Sequence, residues 1–131
     1  DAISIEEVKS WSEYVDYEGS TTDVRPYIKR CHVYVLPSYH EGLPRSTLEA
    51  MSMGRPILTT NAPGCKETVD ENKNGFLVPI GSSTELANRM IWFVKNRDEI
   101  KSMGEQSRKI VEKRFDVRKV NQEMLKILEI N

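Results

Sequence analysis

From the first residue, apolar side chains fall at Ile5, Val8 and Trp11, with Glu6, Glu7 and Lys9 between them. That i, i+3, i+6 spacing predicts a helix over Ser4–Trp11, and Ser4 followed three residues later by Glu7 fits a capping box. Tyr14–Glu18 alternates with period two and stops at Gly19, which reads as a short strand ended by a turn. Ser20 to Asp23 then offer loop and cap residues for a helix from Val24 to Arg30, with Pro26 in its first turn. Val33–Leu36 is a β-branched and aromatic run without alternation, the pattern of a strand buried on both faces. A helix opens with Pro44 at its first position and closes at Gly54. Pro56–Thr60 reads as a third strand that leaves through the turn Asn61-Ala62-Pro63-Gly64. A short helix over Cys65–Val69, a polar turn from Asp70 to Asn74 and a fourth strand at Gly75–Val78 follow, with Pro79–Ser82 as loop. Three helical stripes finish the chain and read as core: Leu86, Met90, Ile91 and Val94; Ile100, Met103 and Ile110; and Val117, Val120, Met124, Ile127 and Leu128.

Strands separated by helices at this spacing predict an α/β fold with a Rossmann-like parallel sheet and flanking helices. Ligands of such sheets sit outside the carboxyl ends of the strands. Three loops leave those ends, Gly19–Asp23, Pro37–Leu43 and Asn61–Gly64, so all three face one edge. The stretch between Leu36 and Met53 is the chemically informative one. Leu43, before Pro44, carries no side-chain oxygen, which leaves the amides of Arg45, Ser46 and Thr47 without an evident cap. A helix start in that state, with the positive end of the helix dipole, suits a phosphate. Glu49 lies five residues beyond Pro44, roughly 7 to 8 Å along the axis, where a carboxylate can accept two hydrogen bonds from a sugar diol. The plainer alternative makes Glu49 a solvated helix residue and Glu41 a turn residue, and local sequence leaves both readings open.

Composition narrows the function classes. At 131 residues the chain suits one domain with a real core, and 38% apolar with 30% charged residues is globular. A formal net charge of −1 gives no global field for nucleic acid or an anionic membrane. Cys31 and Cys65 lack Cys-x-x-Cys or Cys/His ligand spacing and read as free thiols of a cytosolic protein. No apolar run approaches the ~20 residues of a membrane span. The first residue, Asp1, suggests a fragment. His40 reads as a loop side chain and His32 as a structural residue at a strand mouth. Ser38 and Ser46 lack the Gly-x-Ser-x-Gly context of a hydrolase nucleophile, and no Asp-x-Asp pair offers a metal site.

An ordered series of motifs adds to this. Tyr17-Glu18-Gly19, Asp23-Val24-x-x-Tyr27, Val33 to Ser38, Glu41-Gly42-Leu43-Pro44-x-x-x-Leu48-Glu49-Ala50-Met51, Gly54-x-Pro56, Pro63-Gly64 and Asn74 to Val78 together resemble the C-terminal domain of retaining glycosyltransferases of the GT-B fold, in the large family with a Glu-x7-Glu signature, here Glu41 and Glu49. The resemblance implies a nucleotide-sugar donor site. Glu49 would hold the ribose hydroxyls, and Glu41 would stand by the donor sugar as the catalytic glutamate. The amides of Gly42 and Leu43 would contact the sugar, those of Arg45 and Ser46 the pyrophosphate, and the loop around Thr21 the base. It further implies transfer with retention of configuration and no obligatory metal or other cofactor. The wording of the Glu-Gly-Leu-Pro and Pro-Gly-Cys-Lys-Glu-Thr segments is similar to bacterial enzymes that build surface polysaccharides from UDP-hexoses or UDP-N-acetylhexosamines.

On the same resemblance, residues 1–131 form a single truncated donor-binding domain, the C-terminal half of a GT-B fold. An N-terminal domain that binds a glycan or lipid-linked acceptor, and an arginine-lysine pair, would lie before Asp1. The expected protein is therefore inactive alone and cytoplasmic, with peripheral membrane contact only through the full enzyme. Two rivals remain. A nucleotide-sugar epimerase would interconvert sugars without an acceptor. A non-catalytic flavodoxin-like module such as a receiver would want an acidic residue where Pro37 and Ser38 end the strand.

Overall fold

The computed structural model describes residue 23, residues 25–39, residue 42 and residues 44–115. In chain order these form α1 (Arg25–Arg30), β1 (Tyr34–Leu36), α2 (Arg45–Ser52), β2 (Ile57–Thr60), a 3-10 turn (Lys66–Thr68), β3 (Gly75–Val78), α3 (Ser83–Lys95), a second 3-10 turn (Arg97–Glu99) and α4 (Ile100–Arg114). The three strands form one parallel sheet in the order β1-β2-β3. Val35 lies opposite Leu58, and Leu58 opposite Phe76. This is the expected α/β architecture. The expected helix Ser4–Trp11, strand Tyr14–Glu18 and stripe Val117–Leu128 lie outside the described residues.

Alternation along β2 sends successive side chains to opposite faces, and so divides the core into two layers. On one face Ile57 joins Leu48, Ala50 and Met51 of α2 with Ile110 and Val111 of α4. On the other, Leu58 joins Phe76, Val78, Phe93 and Met103. All four β2 residues are buried, as a central strand between two helical layers should be. α4 packs so closely on the turn after α2 that a Cβ at Gly104 would stand 2.0 Å from the Gly54 carbonyl oxygen. Gly54 itself, at φ +75°, ends α2 in the left-handed region that favours glycine. Arg55 ties α1 to this turn by donating to the carbonyls of Ile28 (3.2 Å), Lys29 (3.0 Å) and Met53 (3.1 Å).

Several expectations need correction. The Val33–Leu36 strand is shorter, Tyr34–Leu36, and only half-buried rather than covered on both faces. It is one of the two outer strands of the described sheet, and of these α3 lies over β3, together with the central β2. The Cys65–Val69 helix is only the 3-10 turn Lys66–Thr68. Of the stripe Leu86, Met90, Ile91 and Val94, Leu86 packs against the core, whereas Met90, Ile91 and Val94 are 47%, 50% and 66% exposed. The helix instead turns its aromatic residues inward. Trp92 and Phe93 meet Phe76 edge-on at 4.9 and 5.5 Å between ring centres, and the Arg89 guanidinium sits 4.1 Å above the Phe76 ring. Two large rings offer more apolar area than Met90 and Ile91, so they take the inward face. Met103 and Ile110 are buried, as expected for the second stripe.

Candidate functional site

Parallel strands bring the exits of β1 and β2 to one sheet edge, and β2 holds the two exits together. The Thr59 hydroxyl donates to the Leu36 carbonyl at 2.8 Å, and the Thr60 hydroxyl donates to that of Ser38. β-branched residues that suit a strand thus also pin the loop leading toward α2. Of the third expected loop, Gly19–Asp23, only Asp23 is described.

α2 begins at this edge. Pro44 is its N-cap, with ψ 89°, rather than its first helical residue, and its carbonyl accepts the first intrahelical bond from Leu48 N at 3.0 Å. The ring nitrogen of Pro44 has no hydrogen, and its side chain caps nothing. The contrast within the molecule is α3, where the Ser82 side chain accepts from Glu85 N at 3.3 Å. With that shift by one residue, Arg45, Ser46 and Thr47 form the first turn of α2. Arg45 and Ser46 are half-buried, and the Ser46 hydroxyl is hydrogen-bonded to the Tyr34 hydroxyl. Gly42 is exposed, and a Cβ there would meet nothing within 4 Å, so packing does not demand glycine at that point.

Glu49 is not the solvated residue of the plainer reading: it is 8% exposed. Burial pushes its carboxyl pKa up, the Arg25 guanidinium draws it back, and the Asp23 carboxylate adds to the rise. Arg25 and Asp23 form a two-pronged pair at the start of α1, Nε to Oδ1 at 2.9 Å and Nη2 to Oδ2 at 3.0 Å, while the Arg25 amide donates to Oδ1 at 3.1 Å. The hydrogen bonds to Arg25 hold the Asp23 carboxyl below the usual range. Sequence reasoning singles out neither as a site residue. Asp23 is legible as a cap, as the end of a loop at the sheet edge and as part of the Asp23-Val24-x-x-Tyr27 motif, but an Asp-x-Arg pair carries no periodic signal.

The described residues therefore gather Gly42, Arg45, Ser46 and Glu49 along one short loop and the first turns of α2. Thr21, His40, Glu41 and Leu43 lie outside the described residues. A separate groove of about 920 Å³ opens at the opposite edge of the sheet, between the residues leading into β1 and β2, such as His32 and Arg55, and the flank of α3 and α4; no described donor-site residue lines it. Among the described residues no helix is long and apolar enough to cross a membrane, and no group of three or more His, Cys, Asp or Glu side chains is placed to hold a metal ion.

Comparison with known proteins matches residues 11–110 to the family described as glycosyl transferases group 1. An uncharacterized glycosyltransferase of Haemophilus influenzae is 32% identical over 130 residues, covering 94% of this chain and 36% of the relative. The N,N'-diacetylbacillosaminyl-diphospho-undecaprenol alpha-1,3-N-acetylgalactosaminyltransferase of Campylobacter jejuni is 32% identical over 76 residues, 58% of this chain and 20% of the relative. The chain thus spans about a third or less of these relatives. Among solved structures, Anabaena Alr3699/HepE in complex with UDP superposes with a TM-score of 0.78 at 26% identity, covering 96% of this chain and 35% of that one. Neighbours of this kind place the fold among GT-B glycosyltransferases.

Proposed function

The chain belongs to the glycosyl transferases group 1 family, and from that premise we propose that it is the donor-binding part of a retaining glycosyltransferase of the Glu-x7-Glu type that uses a UDP-sugar. The observation that carries this is the pairing of a helix start whose N-cap, Pro44, offers no capping side chain and a buried carboxylate on the same short helix, at the carboxyl edge of a parallel sheet. The complex of the Anabaena neighbour with UDP supports the choice of base.

In this reading the pyrophosphate rests on the first turn of α2, against the amides of Arg45 and Ser46 and the positive end of the helix dipole. Glu49 accepts the ribose diol, and its burial keeps water from competing for that bond. Gly42 and Leu43 present amides to the donor sugar beside Glu41, and Thr21 meets the base. As the glycosidic bond breaks, negative charge collects on the leaving diphosphate, and the α2 start stabilises it without an obligatory metal. The sugar, a hexose or N-acetylhexosamine, passes with retention to a glycan or lipid-linked acceptor. That acceptor is bound by a part of the polypeptide outside this chain, so residues 1–131 alone transfer no sugar. The whole enzyme works in the cytoplasm on bacterial surface glycans, and any peripheral membrane contact belongs to the full enzyme.

Calorimetry or ligand-observed NMR with UDP, GDP and ADP tests the donor site. UDP should bind, and Glu49→Ala should abolish binding at comparable concentration while circular dichroism stays unchanged. Failure of UDP to bind even at millimolar concentration, or an unaltered affinity in Glu49→Ala, overturns the reading.

A further inference from the structure

We infer that the Thr47 hydroxyl is a ligand-binding group at the start of α2, placed to donate a hydrogen bond to a phosphate oxygen of the nucleotide; this rests on the donor reading above. Thr47 is the third residue of α2 and 1% exposed, and among the described residues its Oγ1 is buried with no hydrogen-bond partner. The other buried threonines behave otherwise. Thr59, Thr60 and Thr68 donate to the carbonyls of Leu36, Ser38 and Cys65. The deeper polar pair is also satisfied, since Asn74 Nδ2 donates to Ser107 Oγ and to the Thr68 carbonyl.

A buried hydroxyl without a partner forfeits its hydration and gains nothing in return, and valine would fill the same volume without that loss. Such an atom calls for a partner that arrives from outside the fold. Geometry indicates where. Helical side chains lean toward the N-terminus of their helix over the residue three before them, so the Thr47 side chain, third in α2, leans toward the helix start on the side of Pro44. The neighbouring hydroxyl, that of Ser46, is already engaged by Tyr34. A phosphate seated on this helix start brings an anionic oxygen in need of donors, and Thr47 supplies one beyond the two amides. Thr47 then reads the diphosphate and is indifferent to the nucleoside.

Calorimetry of the protein and its Thr47→Val and Thr47→Ser variants with UDP and with uridine tests this. Thr47→Val should bind UDP about tenfold more weakly, the scale of one hydrogen bond to a charged group. Thr47→Ser should stay within about twofold of wild type, and uridine binding should not distinguish the three. Thermal unfolding of Thr47→Val should occur at or above the wild-type midpoint, because no hydrogen bond is lost. If circular dichroism shows that Thr47→Val is misfolded, Thr47→Ala replaces it as the variant without a hydroxyl. Equal UDP affinity in wild type and the hydroxyl-free variant, with Glu49→Ala weakened, overturns the role of Thr47 and leaves the donor site standing. Absence of UDP binding by the wild type overturns both.

Discussion

Replacing Glu49 with glutamine should raise stability and lower nucleotide affinity together, with opposite pH dependences. A carboxylate accepts hydrogen bonds from both hydroxyls of a diol, whereas a glutamine amide has one acceptor oxygen and turns a donor toward the second hydroxyl. Hydrogen bonds to charged groups contribute about 1.5 to 3 kcal/mol. At about 1.4 kcal/mol per decade, losing one weakens UDP binding about 10- to 100-fold. The stability change follows from burial, which raises the Glu49 pKa in the native state. A raised native pKa means that the folded protein holds the proton more tightly than the unfolded chain. Its stabilising contribution is therefore complete below the ordinary glutamate value of about 4.3 and is lost as pH rises through the raised native value. Glutamine does not titrate, so the stability advantage of Glu49→Gln should grow across that window and then level off. Wild-type affinity for UDP should move the other way, rising as the carboxylate ionises. The phosphate of the ligand titrates near pH 6, but equally for both proteins, so the ratio of the two affinities isolates Glu49. Urea denaturation and calorimetry between about pH 4 and 8 measure both quantities. A Glu49→Gln protein that binds UDP within twofold of wild type at neutral pH would refute the diol assignment. A wild-type stability that rises relative to Glu49→Gln across the window would refute the account of burial.

Three further outcomes are expected. Arg25→Gln, which removes the cation that draws the Glu49 pKa down, should shift the pH window of UDP binding upward, as read by calorimetry. Gly104→Ala should lower stability by about 2 to 3 kcal/mol in urea titrations, because the added carbon would stand 2.0 Å from the Gly54 oxygen and the gain of about 1 kcal/mol in helix propensity is too small to offset the displacement of α4. Asn74→Ala should cost about 2 to 4 kcal/mol by the same assay, since Asn74 Oδ1 accepts from Asp70 N at 2.8 Å and its amide nitrogen donates to the Thr68 carbonyl and to Ser107.

What can be read from the sequence follows from how local each determinant is. The turn from Asp70 to Asn74 and the strand Gly75–Val78 are legible because a few adjacent residues decide them, and in the structure Asn72 takes the positive φ within that turn. The position of Pro44 is missed by one residue for the same reason in reverse. Proline suits both the cap and the first turn, and only ψ, 89° at Pro44, separates the two. The inward face of α3 is misread because periodicity counts apolar positions without weighing them, and Phe76, from another element, decides that Trp92 and Phe93 win. The candidate site divides in the same manner. That Pro44 offers α2 no capping side chain is visible in a single residue. The burial of Glu49 is not, for it depends on the elements packed around α2, and its electrostatics depend on an Asp23–Arg25 pair more than twenty residues away. A glutamate at that spacing in a solvated helix would bind a diol only in competition with water. Tertiary packing removes that competition at a cost in stability, and no local run of residues encodes it.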